Sequence, residues 1–244
     1  MTFALDFAVG GQARAPDGTV RSFPPPRFTH CNVKNRTMIP AREALARLRE
    51  GNIRFAQSRS DSVTTETRRR ELATSQEPFA IILGCSDSRV PAEIVFDQGL
   101  GDLFVIRVAG NIVAPSQIGS VEFAAARFST RLVVVLGHSN CGAILTTIEE
   151  LGRRSEEQSR NMRTIVDRIR PSVQALLETS IGHDMESLVH HAVRANIRMS
   201  ANHLRHGSEV LEQLIQNDGL LIVGAEYCLE TGVVEFFEGM PQED

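Results

Sequence analysis

The sequence has no run approaching the roughly 18 apolar residues that a membrane-crossing helix needs, so a spanning helix is excluded and the chain reads as soluble. It has only four cysteines in 244 residues. That is too few for a disulfide scaffold and fits a reducing compartment, with a cytoplasmic location expected. Charge of one sign is not in excess, 26 Lys and Arg standing against 30 Asp and Glu. The arginines are scattered, with no basic stripe interleaved with aromatics, so nothing asks for nucleic acid. No internal repeat is visible at a period of about 20 to 50 residues, which excludes a solenoid or propeller.

What is present is 42% hydrophobic residues, enough to bury one full core at this length. Residues 1–37 hold Gly10, Gly11, Gly18 and the run Pro24-Pro25-Pro26 without sustained periodicity, and read as a poorly ordered tail. Phe3 to Val9 followed by Ala13-Arg14-Ala15 loosely imitates an export signal. It lacks a basic start, however, and Asp6 interrupts the apolar stretch. Met38 stands directly before the first convincing helix and offers a second start. Residues 38–244 then read as a single domain.

From Ala41, the positions Leu45, Leu48, Ile53 and Phe55 recur at helical spacing, and Thr65 to Ser75 reads as a second, charged helix. Together these predict an N-terminal helical arm. Strands are predicted at Phe79 to Leu83, Leu103 to Val108, Leu132 to Leu136 and Leu220 to Val223. Helices are predicted at Ser116 to Phe128, at Ala143 to Leu151, and from Ser155 to Leu214 with breaks near Pro171 and Gly182. The alternation predicts an α/β fold with a mostly parallel central sheet covered by helices. Val233 to Phe237, after Gly232, adds one antiparallel edge strand.

Reactive side chains fall where two of these strands end. Cys85 follows Phe79 to Leu83 and Gly84, and His138 follows Leu132 to Leu136 and Gly137. In open α/β sheets that edge is where ligands bind. His138 and Cys141, with Ser139 and Asn140 between them, reach one ion from a tight turn, and Cys85 supplies a third donor from the adjacent strand end. Taken singly, each residue suits a buried thiol or a hydrogen-bonded core histidine. Placed together they describe a catalytic zinc site with an open fourth position. Asp87 and Arg89 would form an ordinary salt bridge elsewhere. Alternation in an extended stretch would send them to the same side as Cys85, where Asp87 accepts a hydrogen bond from water and Arg89 keeps it ionised.

Three ordered segments carry a resemblance: Gly84-Cys85-Ser86-Asp87-Ser88-Arg89-Val90-Pro91, then Gly101 to Asn111, then Gly137-His138-Ser139-Asn140-Cys141-Gly142-Ala143. They closely resemble the beta-class carbonic anhydrases, over about Ala41 to Phe237. The resemblance implies reversible hydration of carbon dioxide to bicarbonate and a proton by a zinc-bound hydroxide, with one Zn(2+) per chain on Cys85, His138 and Cys141. It makes Asp87 and Arg89 the catalytic dyad, with Asp87 as fourth ligand only in a closed form. It places Gln76, Phe104 and Phe123 on the substrate pocket, often completed by a neighbouring subunit, and implies a homodimer or homotetramer. Phe123 stands where many relatives have tyrosine, which makes the pocket more apolar. Arg107 is kept, but the chain has no tryptophan, which speaks against the bicarbonate-regulated form. Two rival readings stand beside it: hydrolysis of carbonyl sulfide or carbon disulfide on the same scaffold, and a catalytically silent zinc scaffold protein, which would usually have lost Asp87 or Arg89.

Other features read blandly. His203 and His206, near His190 and His191, read as a solvated helix face because no cysteine or carboxylate cluster completes a metal set. The arginines from Arg153 to Arg170 are interleaved with acids and read as an exposed face. Gly99 and Gly101 alone make no dinucleotide fingerprint.

Overall fold

Two runs of Ile, Val and Leu with no polar alternation become central strands, since only a strand covered on both faces can bury every residue it carries. The computed structural model describes residues 12–14, 20–22, 39–61, 64–151 and 159–242. The chain divides into two units, Met1–Thr37 and Met38–Asp244. In the first, β1 (Gln12–Arg14) and β2 (Val20–Ser22) pair antiparallel. The signal-like stretch, Cys31 and most of the expected tail lie outside the described residues.

In the second unit, β3 (Ala80–Gly84) and β5 (Leu132–His138) are buried at every position. They form the middle of a five-stranded sheet with β4 (Leu103–Arg107), β6 (Leu221–Tyr227) and β7 (Val234–Glu238), in the order β4-β3-β5-β6-β7. All pairs are parallel except β6 with β7. The expected fold class is therefore the observed one. From β3 the chain goes to β4 on one side, and from β5 it goes to β6 on the other. Connections leaving neighbouring strands in opposite directions open a crevice beyond their carboxyl ends. Cys85 and His138 lie at those two ends.

Helices cover both faces. On one lie α1 (Ala41–Ala56) and the short α3 (Ala92–Val95), with Leu45, Leu48, Val95 and Phe96 packed on Ile82, Val134 and Leu136. Gly51 lets α1 press against α3, because a Cβ there would stand 1.9 Å from the Phe96 carbonyl oxygen. Ile53, expected on the buried stripe of α1, is instead 52% exposed. The charged helix α2 is confined to Glu66–Glu71, capped by the Thr65 side chain.

On the other face lie α4 (Pro115–Arg127), α5 (Gly142–Leu151), α6 (Arg160–Leu177), α7 (Met185–His206) and α8 (Glu209–Asn217). The expected break at Pro171 is absent, since Pro171 sits inside α6. An interior proline costs about 3 kcal/mol, whereas burial of Val166, Ile169 and Val173 around it contributes roughly 1.5–3 kcal/mol each. Packing wins. The break near Gly182 is present as a 3-10 turn, Ser180–His183. A further break at Gly207 follows from Ser208, whose hydroxyl accepts from Leu211 N–H as an N-cap and donates to Glu122.

Candidate metal centre

Cys85 is gripped through its backbone neighbours. Val108 N–H donates to the Gly84 carbonyl at 3.1 Å and Ser86 N–H to the Val108 carbonyl at 3.2 Å, extending the β3–β4 pairing past the strand end. The Cys85 sulfur accepts from Gly110 N–H at 3.3 Å. Gly110 has φ +69°, a conformation open to glycine, and a Cβ there would meet Ile169 Cδ1 at 2.7 Å and Ala143 Cβ at 3.0 Å.

The residues after Cys85 turn instead of running extended. Val90 N–H returns to the Asp87 carbonyl, so the expected strand alternation is replaced by a turn. The turn still brings the charged pair together. Arg89 donates from Nε to Asp87 Oδ1 at 2.9 Å and from Nη2 to Oδ2 at 2.7 Å, and its backbone N–H adds a third bond to Oδ1. Those Arg89 hydrogen bonds outweigh partial burial and hold the Asp87 carboxyl well below the usual carboxylate range. Arg107 anchors the same turn from β4, donating to the Cys85 carbonyl at 3.1 Å and the Asp87 carbonyl at 2.6 Å. Its guanidinium is committed to this loop.

His138 ends β5 fully buried. Its Nδ1 lies 2.9 Å from the Ser139 carbonyl oxygen, which accepts only if Nδ1 carries the proton. Nε2 then holds the lone pair, and it is buried without a hydrogen-bond partner among the described residues. Ser139 is fixed in turn by the β6–β7 connection, giving its N–H to Tyr227 and accepting Leu229 N–H at its hydroxyl. Asn140 takes a left-handed turn at φ 52°. Cys141 stands just before α5, where its carbonyl accepts the first helical bonds.

The sulfurs of Cys85 and Cys141 and a ring nitrogen of His138 lie within 4.8 Å of one another, all three residues buried. A tetrahedral zinc site with two sulfurs and one imidazole spaces its donors at about 3.5–3.8 Å, so modest contraction closes the set on an ion. The contact with Cys141 and the Gly110 N–H lower the Cys85 thiol against the opposing effect of burial. Cys141 is pushed up by the neighbouring Cys85 and by burial. A buried imidazole lone pair facing a buried thiolate is costly unless a cation joins them. The residues fit zinc.

Asp87 stays outside this donor set. Its Oδ2 is 3.9 Å from His138 Nε2 while Arg89 takes both oxygens. Asp87 is therefore turned to Arg89 and away from the two sulfurs and the imidazole.

The expected pocket residues are placed elsewhere on the chain. Phe104 pairs with Ile81 on β3, four residues before Cys85, or roughly 13 Å along the strand. Phe104, Phe123 and Phe128 stack on one another with centroids 5.8–6.1 Å apart, and Phe123 is 54% exposed. Gln76, also exposed, precedes the amino end of β3, whereas the metal donors lie at its carboxyl end. Within one chain these three side chains do not line the metal set. The fixing contacts of Arg107, Gly110 and Ser139 were not readable from residue spacing, although a glycine beside a strand end was a fair signal for Gly110. His203 and His206 are exposed, as expected.

Comparison with known proteins agrees with this picture. A carbonic anhydrase family model matches residues 80–234. A carbonic anhydrase of Mycolicibacterium smegmatis is 37% identical over 190 residues, covering 77% of this chain and 89% of that protein. Carbonic anhydrase 2 of Mycobacterium tuberculosis is 37% identical over 186 residues, covering 76% and 87%. Among solved structures, the beta-carbonic anhydrase CafA of Aspergillus fumigatus superposes with a TM-score of 0.64 at 23% identity, over 82% of this chain and 91% of that one. A beta-carbonic anhydrase of Sordaria macrospora, described as tetrameric, gives 0.62 at 22% identity over 69% and 85%. With a family model spanning most of the sheet and relatives at this identity over most of their length, the chain belongs to the beta-carbonic anhydrase family.

Proposed function

We propose that this chain catalyses the reversible hydration of carbon dioxide to bicarbonate and a proton, with one Zn(2+) held by Cys85, His138 and Cys141. The observation that carries the reading is the unpartnered, buried Nε2 of His138 facing two cysteine sulfurs, beside an aspartate held ionised. Zinc, when bound, supplies a Lewis acid that draws the acidity of water toward neutral pH. The chain does the rest. Asp87 accepts a hydrogen bond from the attacking water and turns its lone pair to the carbon. The water oxygen bonds to that carbon, one carbon–oxygen π pair moves onto oxygen, and a proton leaves to solvent.

Two thiolates bring two negative charges into the donor set, so this site acidifies water less than three imidazoles would. Turnover is expected to rise toward alkaline pH. Phe104, Phe123 and Gln76, remote from their own chain's metal donors, suit a homodimer or homotetramer in which they line a neighbour's site. An apolar lining with one amide donor matches an uncharged linear substrate. A cytoplasmic location belongs to the same proposal, because free thiol ligands persist in a reducing compartment.

Stopped-flow carbon dioxide hydration by zinc-loaded protein, from about pH 6.5 to 9, tests this beside Asp87→Ala and Cys85→Ala. Turnover that rises with pH and is lost in both variants is the expected result. No turnover with one zinc bound per chain would overturn it and turn attention to carbonyl sulfide.

A further inference from the structure

A polar side chain stands in the buried face of α7. Around it on that face lie Ala192, Val193, Ile197 and Leu204. Asn196 is only 2% exposed. A buried amide in an apolar stripe is destabilising unless its hydrogen bonds are made. Its Nδ2 donates to the carbonyl of Gly110 at 2.8 Å, and the N–H of that same Gly110 donates to the sulfur of Cys85.

Glycine is a poor lever unless something holds it. Gly110 and Asn111 both have positive φ, +69° and 43°, and without a Cβ the two peptide planes flanking Gly110 can rotate with little resistance. The plane carrying the Gly110 N–H faces the sulfur, and the plane carrying its carbonyl faces α7. Fixing the second restrains the first. The next residue of α7, Ile197, packs against Gly137, where a Cβ would lie 2.6 Å from its side chain. One helix therefore touches the approach to both ligand-bearing strand ends.

We propose that Asn196 is a positioning residue for the metal centre, acting through the Gly110 peptide to keep an N–H aimed at the Cys85 sulfur. A hydrogen bond to a metal thiolate withdraws charge from sulfur and fixes its direction, so the partner behind it governs both how tightly the metal is held and how strongly the sulfur donates. The inference rests on the proposal that Cys85 ligates zinc, and it adds a residue more than 50 positions away from every ligand except through the fold.

The test uses the full chain with Asn196→Leu, which keeps the branched shape and removes the donor, and Asn196→Ala, which removes the donor without forcing bulkier methyl groups into place. Leu204→Ala, on the same buried face and two turns away, controls for loss of stability alone. Zinc affinity is measured by chelator competition, and the sulfur-to-metal charge-transfer band is recorded on cobalt-substituted protein. Both Asn196 variants are expected to weaken zinc binding about tenfold and to shift the band, while Leu204→Ala lowers the melting temperature and leaves affinity and band in place. Affinity within twofold of the parent and an unmoved band in the Asn196 variants would overturn the inference, as would an equal loss in Leu204→Ala. If the parent itself binds no zinc, the metal reading fails and this one with it. Full binding by parent and variants alike sinks only this one.

Discussion

A neutral imidazole has one donor nitrogen and one acceptor nitrogen, and His138 uses its donor on the Ser139 carbonyl. The tautomer is fixed by backbone geometry before any metal arrives. Around it, Asp87 is held by three hydrogen bonds from Arg89. Arg89→Gln should keep zinc, since no ligand is touched, yet lower kcat by about 10- to 100-fold by loosening Asp87. Metal analysis and hydration kinetics on one preparation check this, and an unchanged kcat would remove Arg89 from the mechanism. Glu226 presents a different residue-scale problem, a buried carboxylate near His190 and Arg194. Burial raises its pKa against the lowering effect of those two neighbours. A carboxyl with a raised folded pKa binds its proton more tightly in the native state, so its contribution to stability falls as pH rises above about 4.5. Glu226→Gln should therefore gain in melting temperature relative to the parent at pH near 8 compared with pH near 4.5. Calorimetry at the two values reads the sign, and a relative gain at the acid end would contradict it.

At the scale of elements, one buried side chain ties α1 to both the α3 region and the β6–β7 hairpin. Asn52 donates to the carbonyls of Val95 and Gly232 and accepts Val234 N–H at 2.8 Å. Asn52→Ala leaves buried backbone groups unpaired and should cost about 2–4 kcal/mol, read as a lower urea midpoint with unchanged slope. A loss under about 0.5 kcal/mol would mean that water replaces the amide. The five strands of the sheet were legible because runs such as Leu132–His138 carry no polar residue until they reach the site. The helix limits were less so. Pro171 signalled a break that packing overrode, and the start of α8 depended on Ser208 bonding Glu122, a partner 86 residues away that no local pattern reveals. The metal donors were legible because their chemistry is rare and falls at strand ends. The turn that pairs Asp87 with Arg89 is not visible in residue spacing, since it is held by Arg107 reaching across from β4.

At the scale of the molecule, the order β4-β3-β5-β6-β7 puts the divergence of chain connections between the two strands that carry Cys85 and His138. The fold concentrates donors from distant sequence positions at one crevice. It also leaves β4 at an edge beside an aromatic group in which Phe123 is exposed and Phe104 and Phe128 are half-buried. If that group completes a neighbour's site, Phe123→Arg should lower both the mass seen by light scattering and the hydration rate while each chain keeps its zinc. Full activity in a monomeric Phe123→Arg protein would separate assembly from catalysis.

X-ray absorption at the zinc edge of purified protein reads the donor set itself. Two sulfur neighbours at about 2.3 Å, one imidazole near 2.0 Å and one further light atom are predicted. A shell of four sulfurs, a shell with none, or no zinc bound would contradict the assignment of Cys85, His138 and Cys141.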